Sequence, residues 1–229
     1  MIPKWEKMPN FAVNKIVKKY YSYIILKKKS LILKRILDIL LSFLLIIILL
    51  IPMIIISFAI KINSKGQIFY KQKRITQYGK EFVILKFRTM YENSDKLGFL
   101  TCSNDSRVTK IGKILRKFRL DEFPQLINIL VGDMTFVGTR PEVPKYVEKY
   151  TSEMLATLLL PAGLTSIASV NFRDESEYLR NSSDSDKIYL EKILPEKMKY
   201  NLEYLNNFSI FLDIKVMFLT ALKIFSILR

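Results

Sequence analysis

The chain has 229 residues, half of them hydrophobic, with 37 Lys and Arg against 21 Asp and Glu and a formal net charge of +16. Histidine is absent and Cys102 is the single cysteine, which excludes His-based acid–base chemistry, His-containing zinc sites and an intramolecular disulfide. Carboxylates therefore lead as nucleophile, acid, base or metal ligand, and the positive excess suits an anionic partner: nucleic acid, phospholipid or a phosphorylated substrate.

Residues 1–30 mix cations and aromatics, among them Lys15, Lys18, Lys19, Tyr20, Tyr21 and Tyr23. They read as a basic amphipathic helix at a headgroup surface, with a solvated basic tail as the bland alternative. Residues 31–61 form the membrane segment. The run Ile39 to Ile60 carries no charge and exceeds the roughly 20 residues that cross a bilayer as a helix. It starts too far from the N-terminus and lacks the cleavage site of a signal peptide, and it is apolar on every face, unlike a soluble core helix.

Both flanks are basic, with Lys27, Lys28, Lys29, Lys34 and Arg35 before the run and Lys61, Lys65, Lys71, Lys73 and Arg74 after it. Basic residues favour the cytoplasmic side, so a straight span would expel one cluster. A bend at Pro52 would let the helix enter and return. The residues alone leave a re-entrant hairpin and a kinked span both open.

Residues 62–229 read as the domain that follows. Gln67–Tyr70 and Glu81–Phe87 pattern as strands around a turn at Tyr78-Gly79, residues 91–105 as a polar loop, and Arg107–Phe118 and Phe123–Leu130 as helices. Ser166–Phe172 patterns as a strand and Ile188–Leu205 as a helix. The final stretch, Phe208–Arg229, is very apolar but holds Asp213 and Lys215, which oppose a span. It fits an interfacial helix and a helix packed on the core equally. The fold class is α+β, mostly α, with a small β-hairpin and amphipathic surface helices.

Asp121 and Glu122 stand between a basic helix and a new helix, followed by Pro124. Helix capping alone would explain that pattern. A functional reading draws in Lys86 and Arg88 after a strand, Arg140 in a Gly138–Pro141 loop, and Arg173 after Asn171. Arginine forks match phosphate oxygens, carboxylates beside them suit Mg²⁺ bridging to phosphate, and an ionised aspartate is a competent nucleophile at phosphorus.

These blocks resemble the small monotopic phosphoglycosyl transferases of the bacterial sugar transferase family. The likeness rests on Lys34-Arg35-Ile36-Leu37-Asp38, the apolar run with its proline, Gln72 and Arg74, Lys86–Met90 (KFRTM), Leu120–Leu130 (LDEFPQLINIL) and Gly132–Glu142 (GDMTFVGTRPE), in the family's order over roughly residues 31–221. The resemblance implies a re-entrant helix–break–helix in the bacterial inner membrane with the catalytic domain on the cytoplasmic face. It implies transfer of a sugar 1-phosphate from a UDP-sugar to polyprenyl phosphate. Asp121 would attack the β-phosphate with release of UMP, and Glu122 would position Mg²⁺ or the acceptor. Phosphate and substrate contacts carry over to Lys86, Arg88, Gln125, Thr139, Arg140 and Pro141, and to Asn171 and Arg173 in the later loop. The chain departs from the family where Ile51 replaces a serine before the proline. It departs again where Ser166, Ser169 and Phe172 replace Gly, Gln and Gly, which bears on sugar or nucleotide preference. Anionic lipids are expected partners. A basic nucleic-acid-binding protein and an inactive membrane scaffold are the rival readings, and no nucleic-acid-binding motif is present.

Overall fold

The computed structural model describes residues 2–10, 14–92, 94, 105–172 and 185–226. Helix α1 (Lys15–Leu26) opens on Asn14, whose side chain accepts the Val17 amide. It buries Val17, Tyr20 and Ile24 in the main core, and leaves Lys15, Lys18 and Lys19 exposed. The helix expected near the N-terminus thus exists, with its apolar face against the protein's own core.

Helix α2 (Lys28–Asn63) is 36 residues long, about 54 Å at the usual rise per residue. Its best 18-residue window has a mean hydropathy of 3.4 and is 6% buried. One stripe at three- and four-residue spacing faces the domain: Lys34, Asp38, Ser42, then half-buried Leu45, Leu49, Met53 and Ile56, then Ile60. The opposite face shows Ile47, Ile48, Ile51, Ile55 and Phe58. Helical structure continues through Pro52, so the break expected there is not a gap in the helix. A proline removes one donor, and the rest of the ladder persists around it.

Both ends of α2 are held by the domain that follows. Lys34 donates to the Val137 carbonyl (2.9 Å) and pairs with Asp213 (2.6 Å), both side chains being buried. Arg35 caps the Ile129 and Leu130 carbonyls at 2.6 and 2.8 Å, and Asp38 accepts from Thr135 Oγ1 and the Phe136 amide. At the far end Ile60 joins Phe87 and Leu115 in a small apolar cluster, and Arg88 Nη2 donates to the Ser64 carbonyl.

The hairpin pairs β1 (Phe69–Ile75) with β2 (Glu81–Phe87) antiparallel, Phe69 opposite Phe87. The second strand matches expectation, whereas β1 starts two residues later and runs through a polar stretch. Helix α3 (Lys110–Lys117) is shorter than the expected 107–118 and is capped by Thr109. Gly112 explains its seat: a Cβ there would lie 2.0 Å from the Thr89 carbonyl, so only glycine lets α3 approach the end of β2 this closely. Helix α4 (Gln125–Val131) follows.

Strand β3 (Met134–Val137) pairs in parallel with β4 (Ala162–Thr165). The strand expected at Ser166–Phe172 is instead helix α5 (Ile167–Asn171), because the Ser166 hydroxyl accepts the Ser169 amide and caps a helix. Helix α6 (Leu194–Asn207) follows a π-turn at Tyr189–Ile193. Helix α7 (Ile210–Ser226) buries Asp213 and Val216 while exposing Phe211, Ile214 and Phe218. The C-terminal stretch therefore packs on the core and also presents an apolar outer face. The expected loop at 91–105 lies mostly outside the described residues.

Candidate active site

Asp121 and Glu122 sit in a 3₁₀ turn, Leu120–Glu122, reached through Arg119 in the left-handed region (φ 54°). That conformation is unusual for a side chain this large and fits a functional corner. Helix α4 begins on Pro124 with no side-chain cap, so capping does not account for the two carboxylates. They are 8% and 9% exposed and face a cavity of about 990 Å³.

The local sequence explains why the turn meets the hairpin. The Asn128 side chain on α4 acts as an extra strand partner: its Oδ1 accepts the Leu85 amide (3.0 Å) and its Nδ2 donates to the Val83 carbonyl (2.9 Å). This latch holds α4 against β2 and so brings Lys86 to Glu122, 3.5 Å away. Arg140 follows β3. Gly138 and Gly163 permit the tight β3–β4 crossing, where added Cβ atoms would fall 2.6 Å from the Pro161 carbonyl and 2.2 Å from the Gly138 amide. Arg140 Nη1 donates to the Leu164 carbonyl (3.2 Å), and its Nη2 pairs with Glu122. Arg119 adds a third cation 3.6 Å from Glu122.

The two neighbouring carboxylates are unlike each other. Burial works to raise the Glu122 carboxyl, but Arg140, Lys86 and Arg119 overcome it and hold Glu122 well below the usual range. Asp121 has no hydrogen-bond or ion-pair partner among the described residues. Burial and the adjacent Glu122 charge raise it, against the pull of Lys86, Arg116 and Arg140. Lys86 is itself lowered by burial. The site therefore holds one carboxylate locked as counter-ion and one left uncommitted in a cationic cleft.

Lys86, Arg88, Asp121, Glu122 and Arg140 all line that cavity. Four other expected residues do not. The Pro141 carbonyl accepts from Arg74 (3.1 Å) and helps position it, and the Thr139 carbonyl accepts from the Gly163 amide (2.8 Å) beside the β3–β4 pair; neither residue is among those lining the cleft. Gln125 is buried beneath the turn at 1% exposure, and Asn171 ends α5 as an exposed residue. Arg173 lies outside the described residues. Pro52 lies within α2, away from the cavity lining. The cavity also recruits cations that had no assigned role: Arg74, Arg116, Lys197 and Lys223. Arg116 donates to Thr89 Oγ1 at 2.8 Å. Its place beside the Asp-Glu pair was visible as basic clustering, whereas Lys197 and Lys223 arrive from distant helices with no local signal.

No group of three or more Cys, Asp or Glu side chains converges among the described residues. With Glu122 taken up by cations, the protein alone offers little beyond Asp121 to a metal. That donor set suits Mg²⁺ carried in on substrate phosphates, which needs only one or two protein carboxylates.

The bacterial sugar transferase family matches residues 29–227. The chain belongs to this family. Among similar family members, a UDP-glucose:undecaprenyl-phosphate glucose-1-phosphate transferase of Klebsiella pneumoniae is 36% identical over 85% of the chain and 40% of its own length. A sugar transferase of Bacillus subtilis, EpsL, is 30% identical over 85% of the chain and 88% of its own length. A UDP-N-acetylgalactosamine-undecaprenyl-phosphate N-acetylgalactosaminephosphotransferase of Aeromonas hydrophila is 31% identical over 73% of the chain and 38% of its length. The chain thus spans about two-fifths of the Klebsiella and Aeromonas proteins. Inside the family match lie the α2 clamps, the Asp-Glu turn and Arg140.

Proposed function

We propose that the protein transfers a sugar 1-phosphate from a UDP-sugar to polyprenyl phosphate, in two displacements at Asp121. The observation that carries this reading is the uncommitted Asp121 carboxylate in a cleft walled by cations, beside a Glu122 that holds three of them. Similar proteins are named for this reaction with undecaprenyl phosphate and with UDP-glucose or UDP-N-acetylgalactosamine as donor, so the donor sugar stays open.

In the first step an Asp121 oxygen attacks the sugar-bearing phosphorus. The bond to the bridging oxygen breaks and UMP departs with that electron pair. The sugar phosphate remains on the carboxylate as a mixed anhydride. In the second step an oxygen of the lipid phosphate attacks the same phosphorus. The Asp121 carboxylate leaves, and a polyprenyl diphosphate sugar is formed. Glu122 stays ionised and fixes Arg140 and Lys86, whose charges offset that developing on the phosphoryl oxygens. Asp121 is the carboxylate that would be open to a Mg²⁺ brought in on the donor's phosphates, and such an ion would supply positive charge to the departing UMP.

We also infer that α2 is re-entrant, in the inner membrane of a bacterium, with the domain on the cytoplasmic face. The support is that one domain grips both Lys34–Asp38 and Ile60–Ser64, while a span would separate those ends by the hydrocarbon layer. Exposed Lys15, Lys18 and Lys19 suit anionic headgroups nearby.

The test is UMP release by the detergent-purified protein given a panel of UDP-sugars, Mg²⁺ and polyprenyl phosphate. Release with at least one donor, lost in Asp121→Asn by about a thousandfold or more, is the expected result. No release with any donor, or undiminished release by the variant, contradicts the reading.

A further inference from the structure

We propose that Arg88 forms a second anion subsite in the cavity, separate from the Glu122 cluster, and that it binds the phosphate monoester head of the lipid acceptor. This deepens the reaction proposed above and rests on it for the identity of the acceptor.

Arg88 follows β2 and is 7% exposed, yet it lines the cavity. Its Nη2 donates to the Ser64 carbonyl (2.7 Å) and hydroxyl (2.8 Å), the cap of the membrane helix. Its Nε and Nη1 are buried without a hydrogen-bond partner among the described residues. The carboxylate near it, Glu92, stands 4.0 Å from Nη1 on a side chain that is 55% exposed, so it is free to swing into solvent as an anion arrives. Desolvated cationic donors left unsatisfied are costly, and an acceptor oxygen at this point would relieve that cost. Arg88 is also not part of the triad of cations bound to Glu122.

Its position argues for the lipid rather than the nucleotide. Arg88 holds the point where the chain leaves its apolar helix. Around it the cavity is lined by Phe69, Phe87, Met90 and Tyr91, with Phe69 41% and Tyr91 52% exposed. An isoprenoid phosphate needs this pairing: a cation for its head and apolar surface for its first units, next to the segment that touches the bilayer. Placing the acceptor phosphate on Arg88 leaves the Lys86, Arg119 and Arg140 group for the phosphoryl group that Asp121 attacks.

The experiment uses the full chain in nanodiscs, with Arg88→Gln and Arg88→Lys beside the unsubstituted protein. Donor-only chemistry is read as exchange of labelled UMP into UDP-sugar, and acceptor use as the KM for polyprenyl phosphate. The expected result is a KM for polyprenyl phosphate raised about tenfold or more in Arg88→Gln, partial recovery in Arg88→Lys, and a much smaller loss of UMP exchange than of transfer. Polyprenyl phosphate, but neither polyprenol nor inorganic phosphate at equal concentration, should raise the melting temperature of the unsubstituted protein. Equal loss of exchange and transfer in Arg88→Gln, or stabilisation by inorganic phosphate alone, would overturn the assignment. A photoreactive polyprenyl phosphate on the unsubstituted protein guards against misfolded variants: crosslinks at Gln67–Phe69 or Met90–Tyr91 support the subsite, and crosslinks confined elsewhere refute it. Absence of UMP exchange in the unsubstituted protein counts against the parent reaction, and crosslinking then decides the subsite by itself.

Discussion

Asp121 and Glu122 share a turn and differ in role because one meets guanidinium groups and the other does not. The pH response should show this. A nucleophile must be ionised, and burial beside Glu122 raises the Asp121 carboxyl above its ordinary 3.8. Activity is therefore present above that raised value and lost as pH falls through it. The acid limb of kcat/KM for the donor, measured as UMP exchange, is expected to have its midpoint above 3.8, the ordinary value for this carboxyl. A midpoint at or below that ordinary value would deny the buried, unpaired setting. The pair itself was legible in the sequence, because adjacent acids among clustered cations are visible in one line. Their division of labour was not, since Arg140 and Lys86 reach Glu122 from other elements. The resemblance assigned phosphate or substrate contacts to Thr139, Pro141, Gln125 and Asn171, none of which lines the cleft.

Elements show where local pattern is overridden. Strand β2 alternates buried and exposed residues and was readable. Strand β1 runs through Lys71, Gln72, Lys73 and Arg74 and is a strand because β2 pairs with it. The segment after Thr165 looks like a strand by composition, but Ser166 turns it into a helix. At the start of α2 Lys34 and Arg35, which read as membrane flank, act with Asp38 as fasteners to the domain, Lys34 and Asp38 buried and Arg35 half-buried. The Lys34–Asp213 pair ties the first part of α2 to α7, with Tyr204 donating to Asp213 at 2.6 Å. Lys34→Met alone should leave a buried charge and cost about 3 kcal/mol or more, while adding Asp213→Leu should return most of that loss. Thermal or denaturant unfolding in detergent checks this, and a double variant no better than the single one would show that the pair does not couple the two helices.

For the whole molecule, the charge suited an anionic partner and the apolar run a membrane segment, and the structure places a cationic cleft on the domain that holds both ends of α2. The proposed re-entrant topology rests on that arrangement. Single cysteines placed at Lys29 and at Lys65, with Cys102 replaced by serine, should both react with an impermeant reagent from the cytoplasmic face of inverted vesicles. Reaction from opposite faces would require a span and would separate Lys34 from Arg88 across the bilayer. The path of the long helix was only half legible: its basic flanks argued for a return, but its continuity through Pro52 depends on packing along the domain.

A covalent sugar phosphate at Asp121 is the step on which the proposed reaction turns. The direct measurement is intact-protein mass spectrometry after mixing with each UDP-sugar and no acceptor lipid. The expected spectrum shows one added sugar phosphate with at least one donor, mapped to Asp121, absent in Asp121→Asn and discharged by polyprenyl phosphate. Turnover that proceeds without any such adduct, or an adduct on another residue, would contradict it.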